Sequence, residues 1–191
     1  MKNPTQDPPV DGVLFPPRAQ LYVDETKARG YFLVAAVVTP EAVGGVRAEL
    51  RKFVRPGVRR VHFKSERDAV RRDFIALVKS LRVTSVVYEC WGRHDHEART
   101  NGLALLVDDL HQHGASKLVL ERDESLVDGD KHVIRRHTHG RRPYGEFEYR
   151  HMSPTEEPML WIPDAIAWCV QRGGAWKGLL ADLPVRFRRV K

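Results

Sequence analysis

The chain is poor in cysteine. Its two thiols, Cys90 and Cys169, each sit inside an apolar run, and neither belongs to a paired metal-binding spacing. That excludes a disulfide scaffold and a structural zinc site, and leaves two buried free thiols in a reducing compartment. Long hydrophobic runs are also missing: no stretch approaches the ~20 apolar residues of a membrane span. The opening residues, Met1-Lys2-Asn3-Pro4-Thr5-Gln6-Asp7, lack the apolar core of a secretory signal, so a cytoplasmic protein with no membrane partner is expected. There is no internal repeat.

What is present is an ordinary globular composition with basic charge. At 191 residues the chain suits one domain. A domain of this size buries roughly 70% of its unfolded surface and needs neither metal nor disulfide merely to fold. The net charge is +7, and arginine outnumbers lysine 23 to 9. Arginine forks suit phosphate, and a basic field speeds encounter with nucleic acid. Arginine richness follows equally from genomic base composition, so charge alone does not decide the partner.

The hydrophobic pattern predicts an α/β fold. Residues 1–18 are proline-rich and read as a loose arm, residues 19–175 as one domain, and residues 176–191 as a basic tail around Arg186-Phe187-Arg188-Arg189. Strands are expected from Ala19 to Asp24, Tyr31 to Val38, Val83 to Trp91, Lys117 to Glu121 and, more weakly, Phe147 to Met152. The apolar run at Tyr31 fits a central strand covered on both faces. Thr39-Pro40-Glu41 starts a helix that reaches about Val54. Further helices are expected at about Glu66–Leu81, Asp95–His113, residues 128–139 and Pro158–Gln171. A hairpin followed by alternating strands and helices implies a mixed sheet with helices on both faces.

Three carboxylates stand where a purely structural sequence would avoid them. Asp24, with Glu25 beside it, ends the first strand, and alternation sends the two acids to opposite faces. A polar strand end entering a turn would look the same. Glu121 ends Lys117-Leu118-Val119-Leu120, with Asp123 two residues on. Asp164 is the only charge in the twelve residues from Met159 to Val170, on one stripe with Leu160, Ala167 and Trp168. A carboxylate there is costly unless paired, protonated or bound to metal; an arginine partner, Arg122 or Arg172, is the plain structural reading. Ligands gather beyond the carboxyl ends of parallel strands in open α/β sheets, so Asp24 and Glu121 converge if their strands are parallel neighbours. Clustered oxygen ligands suit Mg2+ or Mn2+ rather than zinc.

The order Tyr22-Val23-Asp24-Glu25, Tyr31–Val38, Val61-His62-Phe63-Lys64, Leu118-Val119-Leu120-Glu121 and Leu160-Trp161-Ile162-Pro163-Asp164-Ala165-Ile166-Ala167 resembles the bacterial domain-of-unknown-function family 3800, grouped with the ribonuclease H-like superfamily. The likeness covers about residues 20–172. Thr26-Lys27 replaces the family's Ser-Gly, and Pro163 stands where alanine is usual. The resemblance implies a ribonuclease H-like five-stranded sheet of order 3-2-1-4-5. It also implies that Asp24, Glu121 and Asp164 hold one or two divalent ions in a nuclease acting on DNA or RNA. Glu25 would assist, and His62 would position substrate or shuttle a proton. Glu97 is the nearest fourth acid, and Glu89 competes with Glu121.

Other histidines and cations read as surface. His94 and His96, His111 and His113, and His137 and His139 are spaced i, i+2, which does not share a helix face. Arg135, Arg136, Arg141 and Arg142 lie in the chain between Glu121 and Asp164 and are candidate phosphate contacts, as are Lys64 and Arg67. The competing function is a non-catalytic binding or regulatory module on the same fold, since fold does not determine function.

Overall fold

The first hairpin organises everything that follows. In the computed structural model, which describes residues 14–92, 94–139 and 147–190, β1 (Gln20–Thr26) pairs antiparallel with β2 (Tyr31–Val38). Gly30 closes the hairpin with a positive φ of 92°, a conformation that glycine adopts without strain. Helix α1 (Pro40–Phe53) leads to a short 3-10 turn at Phe63–Ser65, then to α2 (Asp68–Leu81) and β3 (Thr84–Cys90). The chain continues as α3 (Asp95–Gln112), β4 (Lys117–Glu121), α4 (Val127–Thr138) and β5 (Glu148–Met152). A 3-10 turn at Pro158–Leu160 enters α5 (Trp161–Arg172), followed by α6 (Gly174–Gly178) and β6 (Val185–Arg189).

The six strands form one mixed sheet of order β5-β4-β1-β2-β3-β6. β1 is parallel to β4, β4 to β5 and β3 to β6, while β2 is antiparallel to both its neighbours. Five strands therefore run one way, and their carboxyl ends share one edge of the sheet. Each face buries its own apolar set. Tyr22, Val34, Ala36 and Val87 pack under α1, α2 and α5, with Phe63, Phe74 and Ile166. Leu21, Val23, Leu33, Val86 and Tyr88 pack under α3 and α4, with Leu103, Leu106 and Ile134. The alternation along β1 and β3 is the reason that one strand serves two cores.

Three expectations need correction. The sheet has six strands, not five, so the expected five-strand order does not describe it: β6 extends it beyond β3. The segment read as a basic tail supplies that strand. Val185 and Phe187 pack on the α5 side, and from the opposite face Arg188 makes a bidentate bond to Asp109 at 2.8 and 2.6 Å. Tyr88 Oη donates to the same carboxylate at 2.9 Å. Cations interleaved with apolar residues hid a strand. Residues 14–18, expected to belong to a loose arm, are instead packed: Leu14 and Phe15 are buried and Arg18 N–H donates to the Gly114 carbonyl at 2.8 Å, while the rest of that expected arm lies outside the described residues.

Asp109 is almost wholly enclosed, and burial pushes its carboxyl upward against the pull of Arg188. Removing one partner of such a pair strands the other. Arg188→Met should therefore lower stability by about 3 kcal/mol in urea unfolding. A loss below about 0.5 kcal/mol, typical of an ordinary surface change, would mean that β6 is not anchored through this pair.

Candidate acidic site at the carboxyl ends of the strands

β1 and β4 are parallel neighbours in the register Tyr22↔Val119 and Val23↔Leu120. Asp24 and Glu121 are each one residue further on, so the two acids leave adjacent strands at the same level. Helix α5 packs on β1 and β2 and presents Asp164 in its first turn. Pro163 is accommodated because it lies in that same turn, where backbone N–H groups lack intrahelical partners. A negative charge is also favoured at a helix N-terminus.

The three carboxylates act on one another. Burial, then the charges of Glu121, Asp164 and Glu25, push Asp24 well above the ordinary carboxylate range. Glu121 is raised by burial and by the charge of Asp164, against the pull of its interaction with Asp24. Two neighbouring carboxyl groups, both raised, resist ionising together. Asp164 is raised by burial against an opposing hydrogen bond, donated to its Oδ2 by Phe63 N–H at 3.1 Å. Neither Arg122 nor Arg172 clasps it: Arg122 donates to the His151 carbonyl at 2.9 Å and lies 4.0 Å from Glu124.

The turn that carries Phe63 is itself pinned. Arg71 Nε donates to the Phe63 carbonyl at 2.8 Å and Nη2 to the Lys64 carbonyl at 2.7 Å, and its guanidinium lies 4.3 Å from the Trp168 ring of α5. His62 is exposed at the mouth of this turn, with Nδ1 2.9 Å from Ser65 Oγ. Its charge and that of Arg60 reach Asp164, and Arg60 also acts on Glu121.

Glu25 goes elsewhere. Alternation turns it toward α3, where Arg99 Nη1 donates to its Oε2 at 2.7 Å. Arg99 also binds Asp130 of α4 with two bonds of 2.8 Å and Tyr31 Oη at 3.1 Å, and His151 Nε2 lies 2.9 Å from Asp130. This enclosed ionic cluster was missed in the sequence. Its signal was there: Arg99 shares a helical stripe with Leu103, Leu106 and Leu110, and Asp130 shares one with Val133 and Ile134. The cluster holds the end of β1 against α3 and α4, and the Glu25 N–H donates to Asp24 Oδ1 at 2.7 Å.

The remaining candidates scatter. Arg135 and Arg136 are exposed in the last turn of α4. Arg141 and Arg142 lie outside the described residues. Glu89 of β3 pairs with Arg189 at 3.1 Å, Glu97 is in the first turn of α3, and Asp123 bonds the Ser125 N–H and hydroxyl in an exposed turn. His94 accepts from the Glu97 N–H at 3.3 Å, and His137 meets Asp108 at 3.0 Å. Contrary to a surface reading, His111 is buried against Phe147. Among the described residues, no group of three His, Cys, Asp or Glu side chains is set as a ligand shell for a metal ion. In the comparisons with known proteins, no family model matches the chain and no curated protein is similar to it.

These shifts have a sign. A carboxyl whose folded pKa is raised binds its proton more tightly in the folded chain. Its contribution is fully present below the unfolded value, about pH 4, and is lost as pH rises through the folded pKa. The metal-free protein should thus lose stability on going from about pH 4 to pH 7 through Asp24, Glu121 and Asp164. Asp24→Asn keeps a donor toward Glu121 and removes one charge. It should raise Tm at pH 7 by at least about 3 °C, the response to roughly 1 kcal/mol at this size, with the gain vanishing near pH 4. A Tm lowered at pH 7 would contradict the crowding of these acids.

Proposed function

We propose that the protein is a divalent-metal-dependent phosphodiesterase acting on nucleic acid, on a ribonuclease H-like fold, with Asp24, Glu121 and Asp164 as ligands. The observation that carries this reading is the convergence of three mutually repelling carboxylates at the carboxyl edge of a mixed sheet, none of them, among the described residues, held in a guanidinium contact. The donor set fits a hard cation, because it is all carboxylate oxygen and contains no thiolate or imidazole. Mg2+ or Mn2+, when bound, would supply the activation of water and the stabilisation of the leaving oxygen.

The chain's own residues have distinct parts in this reading. Asp24 and Glu121 would hold the ion as carboxylates, each releasing any proton it carries. Asp164 is oriented by the Phe63 N–H before any ion arrives. Glu25 sets the backbone at Asp24 through its hold on Arg99, so it supports the site from behind rather than from within it. His62, exposed on the turn that touches Asp164, is placed to carry a proton between solvent and the reacting groups.

The second reading is a non-catalytic module. It is favoured by the lack of a preformed three-ligand shell among the described residues. Two measurements separate the readings. The nuclease reading expects Mg2+- or Mn2+-dependent cleavage of DNA or RNA that Asp24→Asn and Asp164→Asn each reduce by at least a hundredfold with unchanged circular dichroism. It also expects calorimetric binding of either ion. Cleavage undiminished in both variants, or no ion binding at millimolar concentration, would leave the module.

A further inference from the structure

The connection from α1 to α2 is the most cationic exposed stretch beside the acids. Between Val54 and Asp68 it carries Arg55, Arg59, Arg60, His62, Lys64 and Arg67 against one acid, Glu66. Apart from half-buried Arg60, these cations are exposed. Among the described residues, the side chains of Arg55, Arg59, Lys64 and Arg67 make no hydrogen bond or ion pair. A run of unpaired cations repels itself, and it is costly to keep beside a folded surface without a counter-charge. The segment is nonetheless held in place: Arg71 grips two of its carbonyls, Phe63 is fully buried, and Phe63 N–H bonds Asp164. Its charges thus stand at a set position over the acidic site, close enough for Arg60 to act on both Glu121 and Asp164.

A second feature lies at the same sheet edge. Trp91 is 62% exposed, unusual for the largest side chain. It directly follows β3. Its alternation continues the face of Val87, which pairs with Val34, which in turn pairs with Asp24. Trp91 is therefore two strands from Asp24 and four residues further along, roughly 16 Å away at the same edge of the sheet. The backbone that presents it is fixed. Asn101 Nδ2 donates to the Trp91 carbonyl at 3.2 Å, and the next residue, Gly92, packs so tightly on α3 that a Cβ would fall 2.4 Å from the Ala98 nitrogen.

We propose that the Arg55–Arg67 connection and Trp91 together form the docking surface for a single-stranded nucleic acid. The cations of the connection take the phosphates, and the indole stacks on an unpaired base. Phosphate contacts position a strand without reading its sequence. A fixed aromatic beside a cationic track selects unpaired over paired bases, because only an unpaired base offers a free face. This inference rests on the nuclease reading only for the direction in which the strand is led, over Asp24, Glu121 and Asp164. Binding itself requires no metal.

The test is fluorescence anisotropy of the full-length protein with a labelled oligothymidylate and with a duplex of the same length, in EDTA, across a salt series. Arg59→Ala/Arg60→Ala/Lys64→Ala should weaken oligothymidylate binding at least tenfold and reduce the log–log salt slope by about 2, at ~0.7 per single-strand phosphate contact. Trp91→Ala should cost about tenfold on the single strand and leave the duplex unchanged, and Trp91→Phe should restore most of the loss. The Trp91 variants should melt as the wild type does, since that side chain is largely exposed, and the triple variant should stay folded by circular dichroism. Wild-type affinity in the triple variant would overturn the proposal. So would a loss that follows Arg135→Ala/Arg136→Ala instead, or no binding by the wild type at low salt. Equal loss on duplex and single strand in Trp91→Ala would overturn the stacking contact. Binding as described with no cleavage on adding Mg2+ or Mn2+ would remove the nuclease reading and leave the docking surface standing.

Discussion

The mutual repulsion of Asp24, Glu121 and Asp164 is the constraint on which the acidic edge of the sheet depends. Asp24 and Glu121 leave parallel strands at the same height, and Asp164 reaches them from the first turn of a helix packed across β1 and β2. Like charges so placed resist ionisation, and the folded chain keeps their pKa values up instead of separating them. The sheet order, the crossover that delivers α5 and the pinned turn at Phe63 are all required for the meeting to occur.

Counter-charges elsewhere show a different treatment of buried acids. Asp109 meets Arg188, Asp130 meets Arg99, and Glu157 meets Arg47 at 2.8 Å, each with further hydrogen bonds. Those pairs tie elements together: α3 to β6, α3 to α4 and α1 to the entry of α5. Among the described residues, arginine thus neutralises an enclosed carboxylate at these three places. At the acidic site the described partners are backbone N–H groups. That contrast is the reason for reading the site as a place for a mobile cation.

Much of this was legible in the residues. The apolar run at Tyr31–Val38 read as a central strand because it is covered on both faces. Asp164 stood out because it is the only charge in the twelve residues from Met159 to Val170. The side to which Glu25 turns followed from strand alternation. The misses have physical causes. β6 was hidden because Arg188, one of its cations, finds a buried acid in α3, which no local pattern discloses. Arg99 passed unnoticed because its partners come from β1, β2 and α4. The cationic connection before α2 was weighed only at His62, Lys64 and Arg67, since nothing in its spacing says that it folds over the acids.

The central claim is tested most directly by a carbon-13 titration of the carboxyl groups of Asp24, Glu121 and Asp164, followed with and without Mg2+. The account predicts that without the ion at least one proton stays on the Asp24–Glu121 pair well above pH 4, with the curves of the two residues interdependent. It predicts that millimolar Mg2+ drives that proton off and moves all three resonances together. Three independent titrations near pH 4, indifferent to Mg2+, would contradict it.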